Sequence, residues 1–150
     1  MPDLAAILKS GKFHPSAHKR LEDAQNGPEN GPDSEVCQAD SAYRQQFRDA
    51  VLRTMDRLKL DAFVYPTWSN PPRLIGDLNT PAGDNSQVFS PVTGFPAIDV
   101  PMGYIRGGRL PAGITFYGRA WSEAQLIRYA YAYEQATRNR LPPASTPPLR

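Results

Sequence analysis

The chain contains 150 residues with a formal net charge of +2, a size that fits one domain of ordinary proportions. The arginines are interspersed with acidic residues rather than clustered, so we expect no nucleic-acid partner. The sequence has no apolar stretch of the ~18 residues that cross a bilayer and does not begin with a basic, apolar leader, so we expect no membrane association. Because Cys37 is the only cysteine, no intrachain disulfide can form, and we expect a cytoplasmic protein.

Helical patterns occupy the first third of the chain. Residues 3–10 predict a short helix that stops at Gly11, and a second short helix is expected after Pro15. Residues 25–33 contain two Asn-Gly-Pro segments without an apolar residue, which predicts a flexible loop. A long helix is expected over 34–58.

The long helix carries an apolar stripe and a row of arginines. The stripe consists of Tyr43, Phe47, Val51, Met55 and Leu58. The arginines at 44, 48, 53 and 57 fall mostly outside it. We expect the arginine row to be solvated, and an acidic partner is the alternative.

Three short strands are predicted in the middle of the chain, over 61–65, 97–102 and 112–117. The last two flank a Gly-Gly hairpin loop at 106–109, so we expect them to pair antiparallel. Residues 66–90 form a long irregular stretch between the first two strands, and loops of such length are often functional. Its amides, hydroxyls and aromatic rings could face a ligand; a surface wrap held by prolines is the alternative.

A final helix is predicted to begin at Ser122 and to run to about Arg138. Ser122 and Gln125 have the spacing of a capping box, and Trp121 and Leu126 have that of a hydrophobic staple. We therefore expect the Ser122 hydroxyl to cap the helix, at a value of about 1 kcal/mol.

Candidate catalytic and metal-binding groups are sparse. Ser16 and Lys19 match an S-x-x-K pattern but lie in a polar stretch without a Gly-rich turn, so we expect a chance match. His14 and His18 have a metal-compatible spacing, yet no third ligand accompanies them. Cys37 fits a structural thiol better than a nucleophile. We expect no metal, no cofactor and no catalytic residue in this chain.

Several segments resemble, in order and spacing, the C-terminal portion of the amidase signature family of carbon–nitrogen hydrolases. Residues 3–24 resemble the segment upstream of that family's long helix. The other matching segments are Asp61–Thr67 (DAFVYPT), Asn85 followed by Phe89–Ile98 (FSPVTGFPAI), Val100–Gly103 with Leu110–Ile114, and Gly118–Leu126 (GRAWSEAQL). Together they extend over about residues 3–143.

The resemblance implies an α/β fold, the C-terminal part of an α/β/α layered fold with a mixed β-sheet. It also implies hydrolysis of amides by a nucleophilic serine, which a lysine activates through a bridging serine held by a cis peptide bond. None of these three residues has a counterpart here, since the sequence contains no G-G-S-S-G-like stretch. The resemblance places the loop after Thr67 towards the mouth of the substrate pocket. The implied substrate-binding residues are Thr67, Trp68, Asn85, Gln87 and Phe89, with a bracing role for the Asn85 amide as the alternative.

These observations favour a C-terminal fragment of an amidase, inactive when isolated. Residues 1–150 would form a single partial domain, with a tail at 144–150. Its expected partners are a small-molecule amide substrate and the missing N-terminal amidase part, or else a second copy of the chain. The alternatives are a non-catalytic binding or regulatory module and, last, a small hydrolase built on Ser16 and Lys19.

Overall fold

The computed structural model describes residues 3–28, 31–81, 83–85 and 87–142. The chain divides into two compact units, Met1–Tyr43 and Arg44–Arg150. The predicted single partial domain stays a prediction, because one helix crosses this division. The predicted tail at 144–150 lies outside the described residues.

The first unit consists of short helices with capped ends. Helix α1 (Leu4–Ser10) begins at Asp3, whose carboxylate accepts the Ala6 amide at 2.8 Å. Helix α2 (His18–Gln25) follows a single 3₁₀ turn, packs against α1 and ends at the predicted loop. No residue of either helix is buried, so this unit gains little of its stability from a core.

Helix α3 (Glu35–Leu58) begins in the first unit and supplies the second with two core residues. Val51 and Met55, in the predicted stripe, are buried, whereas Tyr43 and Leu58 are exposed. Arg48 departs from the expected solvated row. Its Nε donates to the Thr93 carbonyl at 2.8 Å.

A three-stranded antiparallel sheet forms the centre of the second unit. Strands β1 (Phe63–Pro66), β2 (Ala97–Ile105) and β3 (Leu110–Tyr117) are arranged in the order β1-β3-β2. The predicted antiparallel pairing of the two hairpin strands is confirmed. A single helical turn, α4 (Ser90–Thr93), precedes β2.

Alternation along β3 places a helix against each face of the sheet. Tyr117 is fully buried in a cluster with Val51, Met55 and Phe95. On the opposite face, the Phe116 ring meets Tyr133 of helix α5 (Glu123–Thr137) edge to face. Helical layers on both faces confirm the predicted α/β class.

The predicted capping box and staple at the start of α5 are wrong. The Ser122 hydroxyl donates to the Arg119 carbonyl at 2.7 Å and caps no helix amide. A Cβ on Gly118 would lie 2.3 Å from the Ser122 oxygen, so the serine side chain lies over this glycine. Trp121 has a φ of 65° in the resulting turn and is 92% exposed, whereas Leu126 is buried. The tight turn overrides the local capping pattern.

Candidate functional site

The long irregular stretch after β1 is closed at its base. The Trp68 backbone forms an isolated antiparallel bridge with Asp84. On either side of this bridge, the Asn85 amide donates to the Thr67 carbonyl at 2.9 Å, and the Ser69 amide donates to the Gly83 carbonyl at 2.5 Å. The two ends of the loop are therefore joined as a short continuation of the sheet.

Two predicted site residues hold this base together. The Asn85 side-chain amide donates to the Pro66 carbonyl at 2.9 Å, which is the bracing role considered as its alternative. Thr67 is buried, and its hydroxyl lies 2.9 Å from that of Thr115 and 3.1 Å from the nearer Asp99 carboxylate oxygen. The segment that follows β1 is thus linked through side chains to both β2 and β3.

Close packing at Thr67 requires a glycine on the neighbouring strand. A Cβ on Gly113 would lie 2.9 Å from the Thr67 hydroxyl oxygen and 3.3 Å from its Cβ. Gly113 therefore allows β3 to approach the beginning of the loop and keeps the buried threonine in place.

The remaining three predicted site residues lie in different surroundings. The Trp68 side chain is half exposed and lines a groove beside the β2–β3 hairpin. Gln87 is exposed, and its amide donates to the Asp84 carboxylate at 2.8 Å. The Phe89 ring lies in the core, with ring centroids 5.3 Å from Tyr117 and 5.4 Å from Tyr65. The structure thus brings Thr67, Trp68 and Asn85 together and leaves Phe89 apart, and the binding roles stay predictions.

A groove of about 640 Å³ opens between the beginning of the loop and the β2–β3 hairpin. Its walls are largely apolar and come from segments far apart in sequence. The lining residues are Pro66, Trp68, Ser69, Asn70, Pro71, Pro72, Met102, Ile105, Arg106, Pro111, Ala112 and Gly113. The volume lies within the range of about 300–1,000 Å³ typical of small-molecule sites.

A β-bulge orients one groove residue that the sequence analysis did not identify. Pro101 pairs with Gly113 and Gly103 pairs with Ala112, so Met102 is an extra residue on β2. Bulges redirect side chains, and the Met102 carbonyl is held by the Asn139 side-chain amide at 2.8 Å. The Pro-Met-Gly sequence was the available signal, because glycine in a strand often marks a bulge.

The polar groups considered for catalysis are engaged elsewhere. The Ser16 hydroxyl lies 2.8 Å from the His14 ring nitrogen, and the Lys19 ammonium contacts the Asp23 carboxylate at 2.9 Å. Ser16 and Lys19 are therefore not arranged as a nucleophile and its base. Within the described residues, no group of three His, Cys, Asp or Glu side chains could hold a metal ion.

Burial raises the pKa of the Tyr65 phenol, and the nearby Asp99 carboxylate and Tyr117 add to the rise. In the loop, hydrogen bonds from the Thr80 hydroxyl and from the Thr80 and Asn79 amides lower the pKa of Asp77 to about 2.

No described helix has the length and apolar character needed to cross a membrane.

Known proteins match this chain over most of its length. The family model described as Amidase matches residues 3–127. A probable amidase of Arabidopsis thaliana is 38% identical over 96 residues, which are 64% of this chain and 15% of the plant protein. One glutamyl-tRNA(Gln) amidotransferase subunit, from Symbiobacterium thermophilum, is 30% identical over 109 residues, which are 67% of this chain and 22% of the bacterial protein.

The fold is also similar to a solved structure. The native peptide amidase of Stenotrophomonas maltophilia superposes with a TM-score of 0.73 at 32% identity, over 94% of this chain and 29% of that enzyme. The chain thus spans between 15% and 29% of the length of these relatives.

Proposed function

Because this chain belongs to the amidase family, as its sequence motifs indicated, we propose that it supplies one wall of the substrate site of an enzyme that hydrolyses amide bonds. The observation that carries the proposal is the groove beside Trp68. It lies against a loop whose base is fixed by the Thr67 and Asn85 hydrogen bonds. A site residue held by such contacts positions a substrate without further rearrangement.

The proposed chemistry takes place on residues outside this chain. A lysine activates a nucleophilic serine through a bridging serine, and the nucleophile attacks the amide carbonyl to form an acyl-enzyme. The amine leaves, and water then releases the acid. The absence of a G-G-S-S-G-like stretch from the sequence supports this division. So does the engagement of Ser16 and Lys19 by other partners.

The sheet supports an association with further amidase sequence. Strands β1 and β2 are the edges of the described sheet, and open edges present unpaired backbone groups to a neighbouring strand. Val64 on β1 is exposed as well. We propose that the N-terminal part of an amidase covers these features; a second copy of the chain is the alternative partner.

A specific observation favours a second candidate function. All described groove-lining residues lie between 66 and 113 in one compact unit, so this chain forms the described walls of the groove by itself. The isolated chain could therefore serve as a non-catalytic binding module. Ligand binding by the chain without any restored hydrolysis would favour this candidate.

The test replaces the matching segment of the Stenotrophomonas peptide amidase with this chain and measures ammonia release from peptide amides. We expect no release by the 150-residue chain alone and measurable release by the chimera. In the chimera, Trp68→Ala should raise KM with little change in kcat, because an apolar wall binds substrate and transition state alike. Trp121→Ala is the matched control, since this indole is exposed and lies outside the groove.

Two results would contradict the proposal. Ammonia release by the isolated chain that Ser16→Ala abolishes would identify an autonomous hydrolase. A folded chimera that releases ammonia with the same KM whether position 68 is Trp or Ala would remove the groove from the substrate site.

A further inference from the structure

We propose that the groove binds a small organic acid, with its apolar part against Trp68 and its carboxylate at Arg106. That this acid belongs to the substrate of an amidase rests on the proposed function. That the groove binds it is tested on this chain alone.

The apolar character of the groove defines one half of the ligand. Trp68 and three prolines form one wall, and Met102, Ile105 and Pro111 of the hairpin form the other. Aromatic and apolar surfaces of this kind gain free energy when they cover an alkyl or aromatic group. The half-exposed Trp68 indole offers a flat surface for such a group.

The charge of the groove defines the other half. Among the described residues that line it, Arg106 alone carries a charge. No described carboxylate forms an ion pair with Arg106, in contrast to Arg119, which contacts Asp56 at 2.7 Å. A guanidinium at the margin of an apolar groove favours a planar carboxylate, which can accept two parallel hydrogen bonds.

The backbone at this position also disfavours a purely structural reason for arginine. Arg106 has a φ of 51° in the hairpin loop, where Gly107 and Gly108 follow with positive φ. Glycine adopts this conformation at less cost, so a side chain at this position incurs a conformational penalty. Arg109 ends the same loop, carries the same charge and does not line the groove, which makes it a matched control.

Fluorescence titration of a Trp121→Phe variant tests the proposal, because Trp68 then becomes the sole tryptophan. Trp121 is 92% exposed, so its replacement removes little packing, and circular dichroism checks that the variant is folded. The probes are 4-phenylbutyrate and its uncharged isostere 4-phenylbutyramide. We expect saturable fluorescence changes and a Kd up to about fivefold lower for the acid, because Arg106 is exposed; this preference weakens at high ionic strength.

Two further variants locate the charge that recognises the acid. Arg106→Gln should remove the preference for the acid while leaving the binding of the amide unchanged, and Arg109→Gln should retain the preference. Equal affinity for acid and amide, an equal loss in both arginine variants, or no saturable change of Trp68 fluorescence would each overturn the proposal. Acid binding that follows the expected pattern, beside a folded chimera whose KM is the same with Trp or Ala at position 68, would leave this inference standing and refute only the proposed function.

Discussion

Replacing Tyr117 and Tyr65 by phenylalanine removes one oxygen atom in each case, and we expect opposite effects on stability. Both rings belong to the aromatic cluster between the sheet and α3. The two hydroxyl groups differ in their surroundings. The Tyr117 hydroxyl is hydrogen-bonded, whereas the Tyr65 hydroxyl is buried without a partner among the described residues. The comparison therefore isolates the effect of hydrogen bonding from that of packing.

The hydroxyl of Tyr117 donates to the Thr93 oxygen, and the neighbouring bonds require this direction. The Thr93 hydroxyl donates to the Phe89 carbonyl at 2.8 Å, so its own proton is used. Its oxygen accepts the Phe95 amide at 3.2 Å and has one lone pair left for Tyr117, at 2.7 Å. Tyr117→Phe leaves no buried polar atom unpaired, so the free energy of unfolding should fall by about 1 kcal/mol, the net value of one hydrogen bond.

The hydroxyl of Tyr65 has the opposite balance. An unpaired buried donor costs about 1–3 kcal/mol of desolvation, and phenylalanine removes that cost while keeping the ring contacts. Tyr65→Phe should therefore raise the free energy of unfolding by about 1 kcal/mol.

Alkali gives an independent readout at the same residue. The pKa of Tyr65 is raised above its ordinary value of 10.0 by burial. Below pH 10.0 the phenol is neutral in the folded and the unfolded chain, and its ionisation does not affect stability. As pH rises further the free energy of unfolding falls, because the unfolded chain ionises first. Tyr65→Phe should accordingly flatten the fall of stability above that pH.

Urea denaturation followed by circular dichroism measures both variants against the wild type. In a chain of this size, 1 kcal/mol corresponds to a shift of about 2–4 °C in Tm. An equal loss of stability in both variants would refute the assignment of the Tyr65 hydroxyl as unpaired. An unchanged stability in Tyr117→Phe would refute the value attributed to the Thr93 bond.

Three other changes test separate parts of the structure. Gly113→Ala should lower the free energy of unfolding by about 1–3 kcal/mol in urea denaturation, because the alanine Cβ would lie 2.9 Å from the Thr67 hydroxyl oxygen. An unchanged denaturation midpoint would contradict the close approach of β3 to Thr67. The Asp77 carboxylate should titrate near pH 2 by NMR. Its stabilising effect is present above the ordinary pKa of 3.8 and is lost as pH falls through about 2. Thr80→Val should raise this pKa, and a wild-type value of 3.8 would contradict the loop geometry. Leu126→Ala should lower the free energy of unfolding by about 2–5 kcal/mol, since Leu126 is 2% exposed, and a loss below 1 kcal/mol would show that α5 is not packed as described.

The regular elements were predictable because their residues repeat with the period of the structure. Val51 and Met55 lie one helical turn apart and are both buried, and Phe116 and Tyr117 alternate between the faces of β3. Periodicity depends only on near neighbours in the sequence, so the helices and the strand pairing followed from it.

The site was less predictable because its contacts join distant segments. Asn85 bonds to the Pro66 backbone 19 residues away, and no local pattern specifies that contact. Phe89 was expected at the pocket because the resemblance places its loop at the pocket mouth, and its ring packs against four rings of the aromatic cluster. The Ser122 capping prediction was wrong because it considered only the residues that follow the serine, whereas the Ser122 hydroxyl donates to the preceding Arg119 carbonyl.

The joined base of the loop separates two roles that are often combined in one segment. Since the Trp68–Asp84 bridge and the Asn85 bonds fix both ends, the intervening residues can change in number without displacing the strands. Doubling the length of a flexible loop costs only about 0.6 kcal/mol in closure entropy. Substitutions and insertions between residues 70 and 81 could thus alter what fits beside Trp68 while the sheet keeps its geometry. Related proteins with this sheet can therefore differ in the ligands they bind through changes in the loop alone.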